Sequence, residues 1–458
     1  MRDIDSIIQT AFEHYQSGRV VQAEELFGQV LESEPNHAGV LHLLGVIAHD
    51  KADHDTAVDL LGRAIENYSQ AIKHKPDYAE AYNNIAAALQ GQGNYETSME
   101  NCGKAISLKG DYAQAYNTMG SILQNLGRYE EAIENYSKAI GLAPDYAEVH
   151  NNLGMGLLLK ARFAQGWQEY EWRLKCANRV YPHHYQQPLW DGRPFAGKRI
   201  LVHYEQGFGD SIQFVRYLPM IKQRGGTVIF EERKPLIKLF ENFDGIDELI
   251  ETSSSNKVDV AFDFYLPLLS APMIFGTTLE SVPSNVPYLK ADPVKIEYWR
   301  EKVKGDDFKV GVVWAGLPSH KNDHNRSCRL EHFGPLSKMA GVKLYGLQKG
   351  EASREAEYLR EEMEIVNLGE QLEDFADTAG AIENMDLIIS VDTSVLHLAG
   401  AMGKCVWGLI PYGSEWRWML ERQDSPWYPG MKLFRQKKSG DWAAVFESVQ
   451  QQLKTLAK

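Results

Sequence analysis

Cysteine is scarce in this chain, with 4 in 458 residues. Cys102, Cys176, Cys328 and Cys405 form no CxxC pair, which argues against a structural zinc site and a disulfide framework. Long apolar runs are missing too. No stretch of about 18 uncharged apolar residues occurs, so no transmembrane helix is expected. The opening MRDIDSIIQTAFEHYQ interrupts its apolar residues with acids, unlike a secretory leader, and points to a cytoplasmic location. Basic charge is short at the front. Residues 1–150 hold 10 Lys+Arg against 22 Asp+Glu, which accounts for −12 of the chain's net −14. Such a surface repels phosphates, so nucleic acid is not an expected partner. No HExxH motif occurs and no Asp-X-Asp pair ends a predicted strand, so neither a metal nor another cofactor is expected.

What is present is first a repeat. Asp77-Tyr78-Ala79, Asp111-Tyr112-Ala113 and Asp145-Tyr146-Ala147 recur every 34 residues. Ala86, Gly120 and Gly154 hold one small-residue register, Gly93 and Gly127 mark turns, and Pro76 and Pro144 close units. This is the tetratricopeptide pattern, two antiparallel helices per unit. Two earlier units cover 3–36 and 37–76. The second is about seven residues longer, enough for two extra turns of its second helix, expected around Ala64-Ile65 and Ala71-Ile72. A fifth unit starts at Asp145 and ends in FAQGWQEYEWRL, whose Trp167, Tyr170 and Trp172 are expected to dock the array onto the next domain. The array is thus assigned to residues 1–175. Stacked units form a concave face. Asn83, Asn117 and Asn151 repeat at the 34-residue spacing, with Asn84 and Asn152 beside two of them. Such a column can grip a peptide backbone without reading its side chains, or the same residues can cap helices and face solvent. Thr118 and Leu43 interrupt it.

Beyond Pro182, Pro188 and Pro194 the pattern changes. KRILVHYE (198–205), TVIFEE (227–232), Leu249-Ile250 and VDVAFDF (258–264) read as strands of one domain, assigned to 176–300. KVGVVWAG (309–316), VKLYGLQ (342–348), MEIVNLG (363–369), MDLIISVD (385–392), KCVWGLI (404–410) and MKLFRQ (431–436) read as strands of another, assigned to 301–458 and closed by an amphipathic helix. Strands separated by helical stretches indicate parallel sheets with helical crossovers. The expected class is α + α/β: an α-solenoid followed by two Rossmann-like domains, with ligands in the cleft at the carboxyl ends of the strands.

Four segments carry the candidate chemistry. GFGDS (207–211) follows a predicted strand, and its Asp210 suits either a general base or a helix N-cap. SVDTSVLHLAGAMGK (390–404) passes from strand to helix near Ser394, where backbone N–H groups and the hydroxyls of Thr393 and Ser394 could bind a diphosphate. His397, one turn on, is by itself more typical of a buried core histidine. WAGLPSHKNDHNRSCRLEHF (314–333) offers His320, Lys321, Arg326 and Arg329, with Arg326 able to clamp a diphosphate; a solvated basic loop has the same look. His320, Asp323 and His324 lack a partner cluster for a metal. SEWRWMLERQDSPWYP (414–429) groups Trp416, Trp418, Trp427 and Tyr428 around Arg417, either to stack on a sugar or base and meet phosphate, or as an aromatic plug.

Taken together, these segments resemble the bacterial heptosyltransferases, the ninth glycosyltransferase family. GFGDSIQFVRYLP is similar to that family's glycine-Asp loop and VDTSVLHLAGAMGKCVWGL to its donor-phosphate motif. A closer resemblance, over nearly the whole chain, is to a bacterial group that joins tetratricopeptide repeats to such a transferase. It includes GWQEYEWR, Trp314-Ala315-Gly316 with a downstream Asn-Arg-Ser, Leu-Gln-Lys-Gly around Gln348, WRW and PWYPGMKLFRQ. Some members are implicated in flagellin glycosylation, with the repeats holding flagellin. The layout is also similar to the eukaryotic O-linked N-acetylglucosamine transferase. The resemblance implies a GT-B fold, Asp210 as catalytic base, and donor contacts from Trp314, Gly316, Arg326, Gln348, Asp392, Thr393, Ser394 and His397. Ser394 stands where heptosyltransferases usually carry Gly, and Arg326 where they carry Lys.

The expected function is inverting, metal-independent transfer of a sugar from a nucleotide-sugar to a Ser or Thr hydroxyl of a protein, flagellin being one candidate, recruited by Asn83, Asn84, Asn117, Asn151 and Asn152. Transfer to a lipid or polysaccharide glycan, or a non-catalytic repeat scaffold, are the alternatives. Repeat arrays often self-associate, which leaves a homo-oligomer open.

Overall fold

The computed structural model describes residues 4–50, 54–176, 185–253, 258–318, 320 and 322–457. Two compact units result, one helical and one α/β.

Among the described residues, the helical unit has ten α-helices paired in sequence: α1 (Ile4–Gln16), α2 (Val20–Ser33), α3 (Ala38–Asp50), α4 (His54–His74), α5 (Ala79–Gly91), α6 (Tyr95–Leu108), α7 (Ala113–Asn125), α8 (Tyr129–Leu142), α9 (Ala147–Leu159) and α10 (Phe163–Tyr170). The small-residue register is explained by close helix approach. A Cβ on Gly120 would lie 2.5 Å from the Tyr136 ring, and one on Gly154 would lie 2.6 Å from the Tyr170 backbone. Ala86 is fully buried, and its carbonyl accepts from Ser98 Oγ at 2.5 Å. The turns need a left-handed residue, supplied by Gly18, Gly93 and Gly127 and, 34 residues later, by Ala161 at φ 59°. The extra length of the second unit lies in α4, which runs 21 residues. Trp167 and Tyr170 are buried against Phe163 and α9, and Trp172 stacks on His150 at 4.0 Å. These rings thus pack at least in part within the last repeat itself.

The α/β unit contains two parallel sheets. In the first, β1 (Arg199–His203), β2 (Thr227–Glu232), β3 (Glu248–Glu251) and β4 (Phe264–Pro267) lie in the order β3-β2-β1-β4. In the second, β5 (Phe308–Val313), β6 (Val342–Gly346), β7 (Ile365–Asn367), β8 (Leu387–Val391), β9 (Val406–Ile410) and β10 (Met431–Arg435) lie in the order β10-β9-β8-β5-β6-β7. That is the dinucleotide-fold order, with its switch point between β5 and β8. The central strands β8 and β9 are fully buried apolar runs, as a sheet covered on both faces requires. The terminal helix Trp442–Leu456 packs Val445, Phe446, Val449 and Leu453 into the core of the second sheet.

Two assignments change. The fourth strand begins at Phe264 rather than Val258, because pairing with β1 starts at Ile200↔Phe264, while Asp263 accepts from the Arg199 N–H. The boundary at 300/301 falls too late. Helix Pro293–Arg300 packs on helix Phe375–Glu383 of the second lobe, where a Cβ on Gly380 would lie 2.9 Å from the Lys295 backbone. Asp377 anchors it, accepting from Lys295 Nζ at 2.8 Å and Trp299 Nε1 at 3.1 Å. The two lobes lie within one compact unit. Pro182 lies outside the described residues.

Candidate functional site

The carboxyl ends of β1, β5 and β8 converge. After β1 the chain turns through Gln206, at φ 45°, and Gly207 into helix Phe208–Phe214. After β8 it passes Asp392 into helix Ser394–Ala401. The two helix starts touch: a Cβ on Gly209 would lie 2.8 Å from the His397 ring and 3.5 Å from Ser394 Cα. The Phe208 and Phe375 rings pack at 5.2 Å, and Lys238 pairs with Asp374 at 3.0 Å, so the lobes also meet beside this point.

Asp210 lies at this junction. Its Oδ2 accepts from the Gly207 N–H at 2.7 Å, and its Oδ1 accepts from Arg417 Nη2. The N-cap position itself is taken by Gly207, so Asp210 is the third helical residue, reaching back to the N-cap N–H rather than standing as the N-cap. Burial pushes its carboxyl above the ordinary range, against the pull of Arg417 and with a further push from Glu415. Arg417 also donates to Glu415 at 2.5 Å and to Gln213 Oε1 at 3.0 Å.

On the second lobe, Thr393 N-caps helix Ser394–Ala401, and its hydroxyl lies 3.1 Å from Ser390 Oγ. Thr393 and Ser394 are half-buried. Asp392 is buried, and burial together with Glu415 raises its carboxyl to about 6, opposed by Trp418, Arg326 and Arg417. His397 is buried beneath Trp418, bonds Tyr428 OH through Nδ1 at 2.9 Å and approaches Asp392 at 3.9 Å. Burial, then the nearby Arg417, Arg216 and Arg326, hold its ring well below its ordinary value and so neutral.

The loop after β5 folds on itself. Gly316 has no room for a side chain, because a Cβ would lie 2.4 Å from Arg326 Nη2. Arg326 pairs with Asp323 at 3.3 Å, and Ser327 donates to the same carboxylate and accepts from the Gly316 N–H. Trp314 and Gln348, expected as donor contacts, are buried. Gln348 Oε1 accepts from the Trp314 and Ala315 N–H groups at 3.1 and 2.9 Å, so it shapes the loop from beneath. His320 and Arg329 are exposed, and Lys321 lies outside the described residues. A cavity of about 660 Å³ opens beyond β6 and β7, lined by Lys349, Gly350, Glu370 and Leu372 among others.

The 414–429 segment is the aromatic plug. Trp416 is 5% exposed between Phe214 and Trp427, which leaves no free face for a sugar or base. Arg417, expected at phosphate or in stacking, is spent on Asp210, Glu415 and Gln213. Arg216 was not singled out from the sequence, nor were Gln213 and Glu415. Arg216 is buried and donates to the carbonyls of Gln213, Pro283 and Trp427 and to Tyr288 OH, at 2.7–2.9 Å. The signal was available: Asp210, Gln213 and Arg216 follow at three-residue spacing, one helix face.

In the helical unit the Asn column divides. Asn83 and Asn151 are buried, and Asn83 has no partner for either side-chain polar atom. Asn84, Asn117 and Asn152 are half-buried, with Asn152 donating to Asn117 at 3.1 Å. Among the described residues, no three His, Cys, Asp or Glu side chains are grouped to hold a metal, and no helix is long and apolar enough to cross a membrane.

Family models described as "TPR repeat" match residues 61–93 and 120–156, and one described as "Tetratricopeptide repeat" matches 79–109. The helical unit is a tetratricopeptide-repeat array. The chain is 25% identical over 322 residues to Protein FlbA of Caulobacter vibrioides, a match covering 65% of this chain and 53% of FlbA, so the chain spans about half the length of that relative. Among solved structures, MamA matches at 23% identity over 36% of this chain and 92% of its own, with a TM-score of 0.25. A thermophilic repeat protein of Thermus thermophilus matches at 20% over 39% and 93%, TM-score 0.32. A family 9 glycosyl transferase from Veillonella parvula matches at 13% over 58% of this chain and 99% of its own, TM-score 0.43.

Proposed function

We propose that the chain is a GT-B glycosyltransferase that moves a sugar from a nucleotide-sugar to a protein hydroxyl, with inversion and without a metal, and that the tetratricopeptide array recruits the acceptor. The carrying observation is the placement of Asp210 at the glycine loop after β1, against the Thr393–Ser394 helix start at the β5/β8 switch point. A diphosphate fits the second lobe's half of this junction. Helix N–H groups, the Thr393 and Ser394 hydroxyls and Arg326 supply positive potential, and the cavity beyond β6 and β7 has room for a nucleoside. Asp210, raised in proton affinity by burial, is suited to take the acceptor's proton as its oxygen attacks the anomeric carbon. The departing nucleoside diphosphate is stabilised by the same donors that bind it. Asn84, Asn117 and Asn152 are the amides placed to meet an acceptor peptide, and flagellin is the acceptor to test first.

The test is an intact-mass assay of flagellin incubated with the chain and each of a panel of ADP-, GDP-, UDP-, dTDP- and CMP-linked sugars. A mass gain of one sugar residue, lost in Asp210→Asn, is expected. No gain with any donor, together with a gain on a lipid or polysaccharide acceptor, would overturn the protein-acceptor reading.

A further inference from the structure

Arg417 is the cation that meets Asp210 at the junction. One guanidinium meets Asp210, Glu415 and Gln213, and its Cζ lies 4.3 Å from the Trp416 ring centre. It is 5% exposed. A guanidinium so engaged is fixed in direction, because its five donors form a rigid fork. Asp210 is held from both sides, with Gly207 on Oδ2 and Arg417 on Oδ1. Arg326, by contrast, pairs among the described residues with Asp323, within its own loop, and lies across Gly316 at the switch point. The two arginines of the cleft therefore differ in what they face.

We propose that Arg417 is a positioning residue for Asp210, with Glu415 as its outer anchor, and that the donor's phosphates are left to Arg326 and the Ser394 helix start. The inference rests on Asp210 being the base. Arg417 sets the direction of the carboxylate and favours its ionised form against the effect of burial. Glu415 holds the opposite end of the guanidinium and offsets part of its charge, so that Asp210 retains enough basicity to accept a proton. The groups facing Asp210 are Arg417 and Glu415 from the 414–429 segment, and Glu205 from the end of β1.

The experiment reads Asp210 directly. The full chain labelled with [13Cγ]Asp is titrated by NMR, with Asp210→Asn identifying the signal. In Arg417→Gln the Asp210 midpoint should rise by about 1–3 pH units, since an adjacent opposite charge lowers a carboxyl by that much. Arg417→Lys should recover part of the shift, and Glu415→Gln should move the midpoint down. Affinity for ADP and UDP, measured by calorimetry, should change less than about twofold in Arg417→Gln and fall at least about tenfold in Arg326→Gln. An unmoved midpoint in the Arg417 variants overturns the proposal. So does loss of nucleotide affinity in Arg417→Gln equal to that in Arg326→Gln, which would make Arg417 a phosphate ligand. If Arg417→Gln does not fold, Glu415→Gln carries the test, because Glu415 is 42% exposed at the rim and an unmoved midpoint there overturns the anchor role. Failure of the base reading is separate: Asp210→Asn would then keep transferring sugar while the midpoint still answered to Arg417.

Discussion

Gly209 and His397 are separated by the absence of one methyl group. A Cβ at position 209 would lie 2.8 Å from His397 Cδ2, inside contact distance, and 3.5 Å from Ser394 Cα. The glycine of the first loop is there so that two helix starts, from different lobes, can touch. Gly209→Ala should therefore lower stability by about 1–3 kcal/mol, the usual cost of overpacking, read as a drop in urea midpoint. Gly207→Ala is the control. Its Cβ would meet Asp210 Oδ2 at 3.3 Å and the Gly209 N at 4.0 Å, so its effect should be smaller.

Ala161 occupies the turn that glycine fills at 93 and 127, and does so at φ 59°. An L-residue in this region is strained by about 1–2 kcal/mol, part of which glycine returns as unfolded-chain entropy. Ala161→Gly should stabilise the array by about 0.5–1 kcal/mol net. Thermal unfolding followed by circular dichroism checks it, and a lower melting temperature would contradict the assignment of strain to this turn.

The repeat was legible because its spacing is local. Gly120 and Gly154 mark close helix crossings, and Asp77, Asp111 and Asp145 mark helix starts, all within one period. The strands were legible because buried parallel strands are short apolar runs between glycine and proline. The pairing of Asp210 with Arg417 was not, since 207 residues separate them and no local pattern links the two. Trp416 illustrates the same limit. Its ring type suits stacking on a ligand or filling a core equally well, and only the positions of Phe214 and Trp427 decide. Asn83 and Asn84 look alike in the sequence, yet one is buried and the other half-buried, because neighbours on a helix point about 100° apart.

Arg216 binds four acceptors from three stretches of chain: Gln213 O, Pro283 O, Trp427 O and Tyr288 OH. Truncation would orphan several buried oxygens, at about 1–3 kcal/mol each. Arg216→Met should therefore cost about 3 kcal/mol or more, read by urea unfolding. Arg216→Lys keeps the charge but not the fork, and should fall between wild type and Met. A Met variant as stable as wild type would show that the network contributes nothing net.

Asp392 gives the pH dependence. Its carboxyl is raised from 3.8 to about 6 in the folded chain, chiefly by burial and then by Glu415. A raised folded-state value means that the folded chain binds the proton more tightly than the unfolded chain. Its stabilising contribution is therefore complete below pH 4 and is lost as pH rises through about 6. The loss across that window is on the order of 3 kcal/mol. Asp392→Asn removes the titration, so the difference in unfolding free energy between variant and wild type should grow in the variant's favour from pH 4 to pH 7. Urea midpoints at half-unit pH steps measure it. A difference that stays flat across the window would show that Asp392 titrates at its ordinary value, and that the carboxylate beside the Ser394 helix start is already accommodated as an ion before any phosphate arrives.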